Sequence, residues 1–312
     1  MNDRSTIIEA PLARWASRIA LFSASLVVVG VVLHRLTAFP TPVVLNLFAV
    51  GLAGGGLALL VGLIALAQIW HRGFAGAGKA AFGVLLPLML TAWPLTFLPA
   101  LMNLPRINDV TTDVASPPQF VALAKVRTGD ANPAPYPGER FAEQQQKAYP
   151  DLRTFWLDRG VEEAYGLVEE AARKLRWRVT SSEPPAGKQA RSGTLEATDL
   201  TPVIGFPDDV VVRVEGNEIR ARVDVRSASR YGPTDLGQNA SRVRRFLAEL
   251  QARVDSSAPT AMAGRRALRT TRTGAMVKKV KGHDQQKAES RTKRDRVQSS
   301  ARRGQGQRET LR

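Results

Sequence analysis

The sequence predicts a membrane protein carrying a small α+β domain. The expected fold has three N-terminal transmembrane helices, an antiparallel sheet with two helices on one face, and a disordered basic tail. Three observations carry this. Three long apolar runs fill the first third of the 312 residues. Alternating strands followed by an amphipathic helix occupy Asp209–Leu250. Most of the net charge of +16 sits at the end: residues 256–312 hold 16 Lys/Arg against 4 Asp/Glu, and the first 255 hold 28 against 24.

The apolar runs are Ala16–Leu33, with Arg18 at its start, Val43–Trp70, with 28 uncharged residues, and Ala80–Met102, also uncharged. A bilayer core of ~30 Å takes about 20 apolar residues per helix, so three spans are expected within residues 16–102. His34 and Arg35 close the first run and no A-x-A-like site follows, which reads as an uncleaved signal anchor. Gly51 and Gly55 form a G-x-x-x-G pair that permits close helix approach. Pro87, Pro94 and Pro99 should kink or break the third span. No span holds a central charge, which argues against an ion pump or proton relay.

Arg4, Arg14, Arg18, Arg72 and Lys79 flank one side of the spans, and Arg35 and Arg106 the other. That asymmetry places residues 1–15 in the cytoplasm and everything after Met102 in the periplasm of a bacterial inner-membrane protein. GFAGAGK, Gly73–Lys79, is a decoy. A phosphate loop needs Ser or Thr after the lysine and a strand before it; here Ala80 follows a span, so a short interfacial loop is expected.

Residues 103–255 are expected to form one soluble domain. Asn103–Pro118 reads as a polar, extended exit, and proline-rich Thr128–Pro150 as a loop. Gly160–Trp177 shows an apolar helical face, with Glu162 and Glu163 early and Arg173 and Lys174 late, matching the helix dipole. Short strands follow at Trp177–Ser182 and Ser192–Asp199. A hairpin then runs through Val210–Val214 and Ile219–Val225 across a Gly216-Asn217 turn. Leu236, Ala240, Val243, Leu247, Leu250 and Val254 line the last helix. The order is α-β-β-β-β-α, with one sheet face buried and the other wet. Arg178, Arg213, Arg220, Arg222 and Arg226 should lie on the wet face, available to lipid headgroups, an acidic envelope polymer or a partner protein, or simply solvated.

The chemistry is bounded by absences. There are no cysteines, and the histidines are His34, His71 and His283. The domain therefore has no Ser-His-Asp triad, Cys-His pair or ordinary zinc site, and no catalytic, cofactor or metal residues are assigned. The densest cluster is Arg226, Ser227, Ser229, Arg230, Asn239 and Arg242, with Arg245 nearby. Arginine forks beside hydroxyls suit an anion. The structural alternative makes Asp235 the cap of the last helix, paired with Arg226 or Arg230. Asp109 and Asp113, with Asp208 and Asp209, are a second set of carboxylates for acid/base work or a hard cation, or for turns and caps.

Three stretches carry a resemblance: DVTTD (Asp109–Asp113), GFPDD (Gly205–Asp209) and DVRSASRYGPTDLGQNASRVRRF (Asp224–Phe246). Over about Asp109–Leu250 the chain resembles the bacterial domain of unknown function 1499 family. The resemblance implies a small α/β domain, often attached to membrane spans, with no activity generally assigned and no catalytic residues to carry over.

Residues 256–312 have few large apolar residues and should be disordered. Such a tail binds polyanions through counterion release, with an anionic membrane surface favoured and nucleic acid disfavoured by topology and by the lack of aromatics. Three functions stand in order. The first is a non-enzymatic membrane-anchored module binding an anionic ligand or partner protein. The second is an envelope hydrolase or transferase using Asp/Arg chemistry. The third is a cytoplasm-facing protein whose tail binds nucleic acid.

Overall fold

The structure is a computed structural model that describes residues 8–37, 39–186 and 191–257. The expected disordered tail, from residue 258 on, lies outside the described residues. The chain divides into two units, Met1–Arg253 and Val254–Arg312; of the second, only the end of the last helix through Ser257 is described.

Helices α1 (Pro11–Thr37), α2 (Thr41–Arg72) and α3 (Ala77–Leu95) are each long and apolar enough to cross a membrane. Their contacts use small residues. Ala13, Ala16, Ala20 and Ser23 of α1, Gly51, Ala58 and Gly62 of α2, and Ala80 and Gly83 of α3 are buried, whereas Leu21, Phe22, Leu60 and Leu85 face outward. Lipid is as apolar as leucine, so such a bundle gains from close backbone approach rather than from hiding large side chains. A Cβ on Gly51 would stand 2.6 Å from Val27 Cγ2, and one on Gly83 2.5 Å from Ala16 Cβ. Gly55, the other half of the expected pair, would meet Pro87 Cβ at an ordinary 3.7 Å.

The third span is shorter than expected. It stops at Leu95, Thr96 and Phe97 bond back to Trp93 and Pro94 in tight turns, and a separate short helix α4 (Leu98–Asn103) follows. Pro94 and Pro99 supply the break. Between α2 and α3, Gly73 takes a left-handed φ of 68° and Ala75 pairs with the segment at Ile8–Ala10. Lys79 meets Glu9 at 2.5 Å, so the lysine of the decoy is held by a carboxylate.

The domain adds β1 (Asp109–Thr111), α5 (Glu139–Ala148), β2 (Phe155–Leu157), α6 (Val161–Lys174), β3 (Arg178–Ala186), β4 (Arg191–Leu200), β5 (Pro207–Gly216), β6 (Ala221–Ser229) and α7 (Gln238–Ser256). The antiparallel sheet runs β1-β6-β5-β4-β3, and β2 also pairs with β6. β1 covers Arg226–Ala228 and β2 covers Ala221–Val223, end to end along one edge.

The strands β1 and β2, the helix α5 and a 3-10 turn at Leu123–Val126 were not expected. Glu139–Ala148, read as loop because of its proline-rich surroundings, is built from helix formers such as Glu, Gln, Lys and Ala. It docks through buried Gln145, which exchanges two hydrogen bonds with the Thr111 backbone. The hairpin turn also differs. Gly216 pairs with Ala221, leaving a four-residue loop in which Asn217 Oδ1 accepts the N–H groups of Ile219 and Arg220. Ile219 sits at its tip, 78% exposed, rather than in a strand.

One sheet face carries Val210, Val212, Val214, Val223 and Val225, all fully buried. Each contributes about 1.5–3 kcal/mol by leaving water. Helices α6 and α7 cover this face. Tyr165 reaches Ser182 at 2.8 Å, Asn239 reaches Ser227, and Trp177 stacks on Phe246 with centroids 5.0 Å apart.

The opposite face, expected to be wet and basic, is covered by the segment 112–137. Phe120 and Leu123 pack on Val211 and Ala228. Glu196 accepts the backbone N–H groups of Val121, Ala122 and Leu123 at 2.8–2.9 Å, holding the strap at its 3-10 turn, Leu123–Val126. The expected arginine row is thereby mostly consumed. Arg226 is fully buried, Arg213 bridges Asp113 and Asp224, and Arg222 pairs with Glu215. Arg220 lies over Trp156 in the hairpin turn, and Arg178 stays exposed. The free edge, β3, carries Pro184 and Pro185 and two register shifts; a Cβ on facing Gly193 would come within 2.7 Å of Pro185.

Candidate functional site

The residues singled out from the sequence fall into three separate arrangements. The first surrounds the start of α7. Asp235 Oδ1 and Oδ2 accept the N–H groups of Gly237 and Asn239 at 2.9 and 2.8 Å. Leu236 is held at φ 53°, a rare conformation for a branched residue, and Gly237 follows at 82°. Arg242, almost fully buried, donates to Asp199, Asp208, Ser227 and Asn239 at 2.7, 2.6, 3.1 and 2.7 Å. Ser229 accepts from Asn239 at 3.0 Å. Ser227, Ser229, Asn239 and Arg242 are therefore together, with every Arg242 nitrogen engaged inside the protein. Burial lowers the Arg242 pKa, but Asp208 and Asp199 outweigh it and the net direction is up. Arg245, expected on the same side, is exposed while Arg242 is buried. At three residues' separation the side chains are about 60° apart around the helix, so Arg242 falls within the buried stripe and Arg245 just beyond its edge.

The second arrangement locks the strap. Arg226 grips Asp109 through Nε and Nη2 and donates to the carbonyls of Pro118 and Ala134. Its guanidinium lies 4.7 Å from the Phe120 ring centre and 5.5 Å from that of Tyr136. Burial pushes the Asp109 carboxyl above its usual range, against the pull of Arg226. Burial first, and Asp109 second, push the Tyr136 phenol up to about 12. Neither Arg226 nor Arg230 pairs with Asp235, contrary to the structural alternative: Arg226 belongs to Asp109 and Arg230 to Asp209.

The four expected carboxylates do not converge. Asp109 faces Arg226, Asp113 faces Arg213, Asp208 faces Arg242, and Asp209 faces both Arg127 and Arg230. Among the described residues no group of three or more His, Cys, Asp or Glu is placed to hold a metal.

The third arrangement joins the spans to the domain. The β4–β5 loop, Thr201–Phe206, reaches the ends of α1 and α2. Phe206 packs against His34 and Phe48, and Arg35 reaches the Thr201 carbonyl. Two recesses open here. One, about 440 Å³, is walled by Leu45, Trp93, Phe97, Val203, Ile204 and Phe206, with Asp208 and Asp235 at its polar side. The other, about 520 Å³, is lined by His34, Arg35, Arg178 and Arg230 and has no carboxylate in its lining among the described residues. Both sizes suit small-molecule sites. Thr41, Pro207 and Tyr231 border both. Of these residues sequence reasoning nominated Arg230 for an anion, Asp208 as a carboxylate candidate and Asp235 as a cap, and noted His34, Arg35 and Arg178 for other reasons. The sequence signal available was the apolar VIGF loop beside the GFPDD stretch.

Comparison with known protein families finds a match over part of the chain. Residues 109–250 match the family described as Protein of unknown function (DUF1499). The matched segment begins at Asp109, where β1 starts, and ends at Leu250, within α7. It contains the Arg226 lock and the Arg242 cluster whole. The junction draws on it for Arg178, Arg230 and the β4–β5 loop, and on the spans for His34, Arg35, Leu45 and Trp93. No curated protein matches the chain.

Proposed function

We propose that the protein is a membrane-anchored, non-enzymatic binding module whose DUF1499 domain takes an anionic ligand against the ends of its spans. The observation that carries this is the junction recess, where Arg35, Arg178 and Arg230 meet without a carboxylate in the lining. Asp209 lies behind it, but that one carboxylate already answers Arg127 as well as Arg230. The Arg178 side chain has no hydrogen bond or ion pair among the described residues. Positive charge is therefore in surplus, and a surplus of arginine forks is the chemistry of phosphate and carboxylate recognition. The Arg226 and Arg242 clusters fit this role less well, because their guanidinium groups are buried and engaged. A hydrolase built on Asp109/Asp113 or Arg226/Asp235 is likewise disfavoured by the separation of those groups.

The same proposal places the domain on the periplasmic side of a bacterial inner membrane, supported by the five-to-two excess of Lys/Arg on the opposite side. The test uses the full chain in detergent micelles with glycerol 3-phosphate as a soluble anionic probe. A rise in melting temperature that disappears in Arg178→Glu is expected. No rise at millimolar probe, or a rise unchanged in that variant, would overturn the proposal.

A further inference from the structure

We infer that the two junction recesses form one site for an anionic glycerophospholipid drawn from the surrounding bilayer. The inference rests on the binding role proposed above and names its ligand. The recesses share Thr41, Pro207 and Tyr231, so one molecule can occupy both. Such a molecule must be apolar on one side and anionic on the other. The apolar recess lies between the first turns of α2, at Thr41 and Leu45, and the end of α3, at Trp93. These are span termini, the level at which a bilayer changes from chains to headgroups, and where Trp is enriched. Leu45 and Trp93 are themselves exposed, so an acyl chain in the recess continues along them into lipid.

The headgroup side has matching donors. The Arg178 side chain is exposed and has no partner among the described residues, and Arg230 commits Nε and Nη2 to Asp209 and Thr198 while Nη1 has no bond among them. His34 Nδ1 donates to the Phe39 carbonyl at 2.7 Å, because a carbonyl can only accept. That leaves Nε2 buried with no partner. Asp208 and Asp235 border the apolar recess, so a phosphate is disfavoured there and directed toward the arginines. A free phosphate shares the headgroup chemistry but leaves the apolar recess unused.

The experiment measures lipid retained by the delipidated full chain after exposure to phosphatidylglycerol, phosphatidylethanolamine or phosphatidylcholine in mixed micelles, by native mass spectrometry. Phosphatidylglycerol should be retained about tenfold better than either zwitterionic lipid, the size of one charge-assisted contact. Arg178→Glu should abolish that preference, and Arg245→Ala, exposed and outside the site, should not. Val203→Asp, at a position 57% exposed, should reduce phosphatidylglycerol retention without altering the glycerol 3-phosphate response. Equal retention of all three lipids would overturn the inference, as would a Val203→Asp variant with undiminished retention. If glycerol 3-phosphate still binds in either case, the anionic-ligand reading survives; if it does not, both readings fall.

Discussion

Arg226 and Asp109 stand 117 positions apart in the chain and 2.7 Å apart in space, with no water-facing surface on the arginine. The pair ties the first strand of the domain to the last and pins the strap between them. A buried pair broken on one side leaves a charge without compensation, at about 3–5 kcal/mol. Asp109→Ala should therefore lower stability by about that amount in chemical denaturation. Asp109→Leu with Arg226→Met should lose less than the single change. A double variant that loses as much as Asp109→Ala would show that the cost lies in packing rather than in charge.

The cap at Asp235 makes a pH-dependent prediction. Burial raises its pKa above the ordinary 3.8, although the Gly237 and Asn239 amides pull the other way. The folded state therefore holds the proton more tightly than the unfolded state. The associated stability is fully present below 3.8 and is lost as pH rises through the elevated folded value. Asp235→Asn keeps a capping oxygen but cannot titrate. Wild type should gain on Asp235→Asn as pH falls from neutrality toward 3.8, measured by the difference in melting temperature. Asp235→Ala should cost about 1 kcal/mol through the lost cap. A melting-temperature difference between wild type and Asp235→Asn that stays constant with pH would refute the linkage.

Close approach of the spans depends on Gly83. Its missing Cβ leaves room for Ala16, whose backbone carbonyl carbon would otherwise stand 2.9 Å away. Gly83→Leu should separate α1 from α3 and lower the melting temperature of the full chain in detergent. Gly56→Leu, with nothing within 4 Å of its Cβ position, should not. Equal effects would mean that the bundle is loose enough to absorb both.

Domain limits and sidedness can be tested together. Ile107 is fully buried and its carbonyl accepts the Asp235 N–H, while Asn108 binds Ser229 and Gly232. A fragment from Asn103 to Ser256 should melt cooperatively, and one starting at Asp113 should not fold. Alkaline phosphatase fused after Leu250 of the full chain should be active, and silence there would reverse the proposed orientation.

What could be read in the sequence followed from periodicity and charge. Val43–Trp70 announces a span because 28 uncharged residues leave little else. Val210–Val214 and Val223–Val225 announce strands by composition. Their alternation was misleading about the second face, because Arg213, Asp224 and Arg226 look solvated when their partners are unknown. Those partners, Asp113, Thr112 and Asp109, lie roughly a hundred positions away. The strap from Thr112 to Pro137 has little regular structure and so no period to detect. The Asn217 side chain closes a longer turn than a Gly-Asn pair suggests, since an Asx bond can replace a backbone turn. The junction was illegible for a plainer reason: His34 and Arg178 come to line one recess only when a loop from elsewhere in the chain brings the domain onto the spans.

The edge of the sheet has a consequence for how copies of this protein can meet. β6 is paired with β1 and β2, strands of three residues each, which leaves β3 as the long edge open to another strand among the described residues. There Pro184 and Pro185 offer no N–H, and the shifted register bends the ladder away from a straight template. Anchored domains are concentrated in two dimensions, where strand addition between neighbours would spread into insoluble arrays. This flank denies them that route. Crowding should therefore not spread the sheet from one copy to the next through β3.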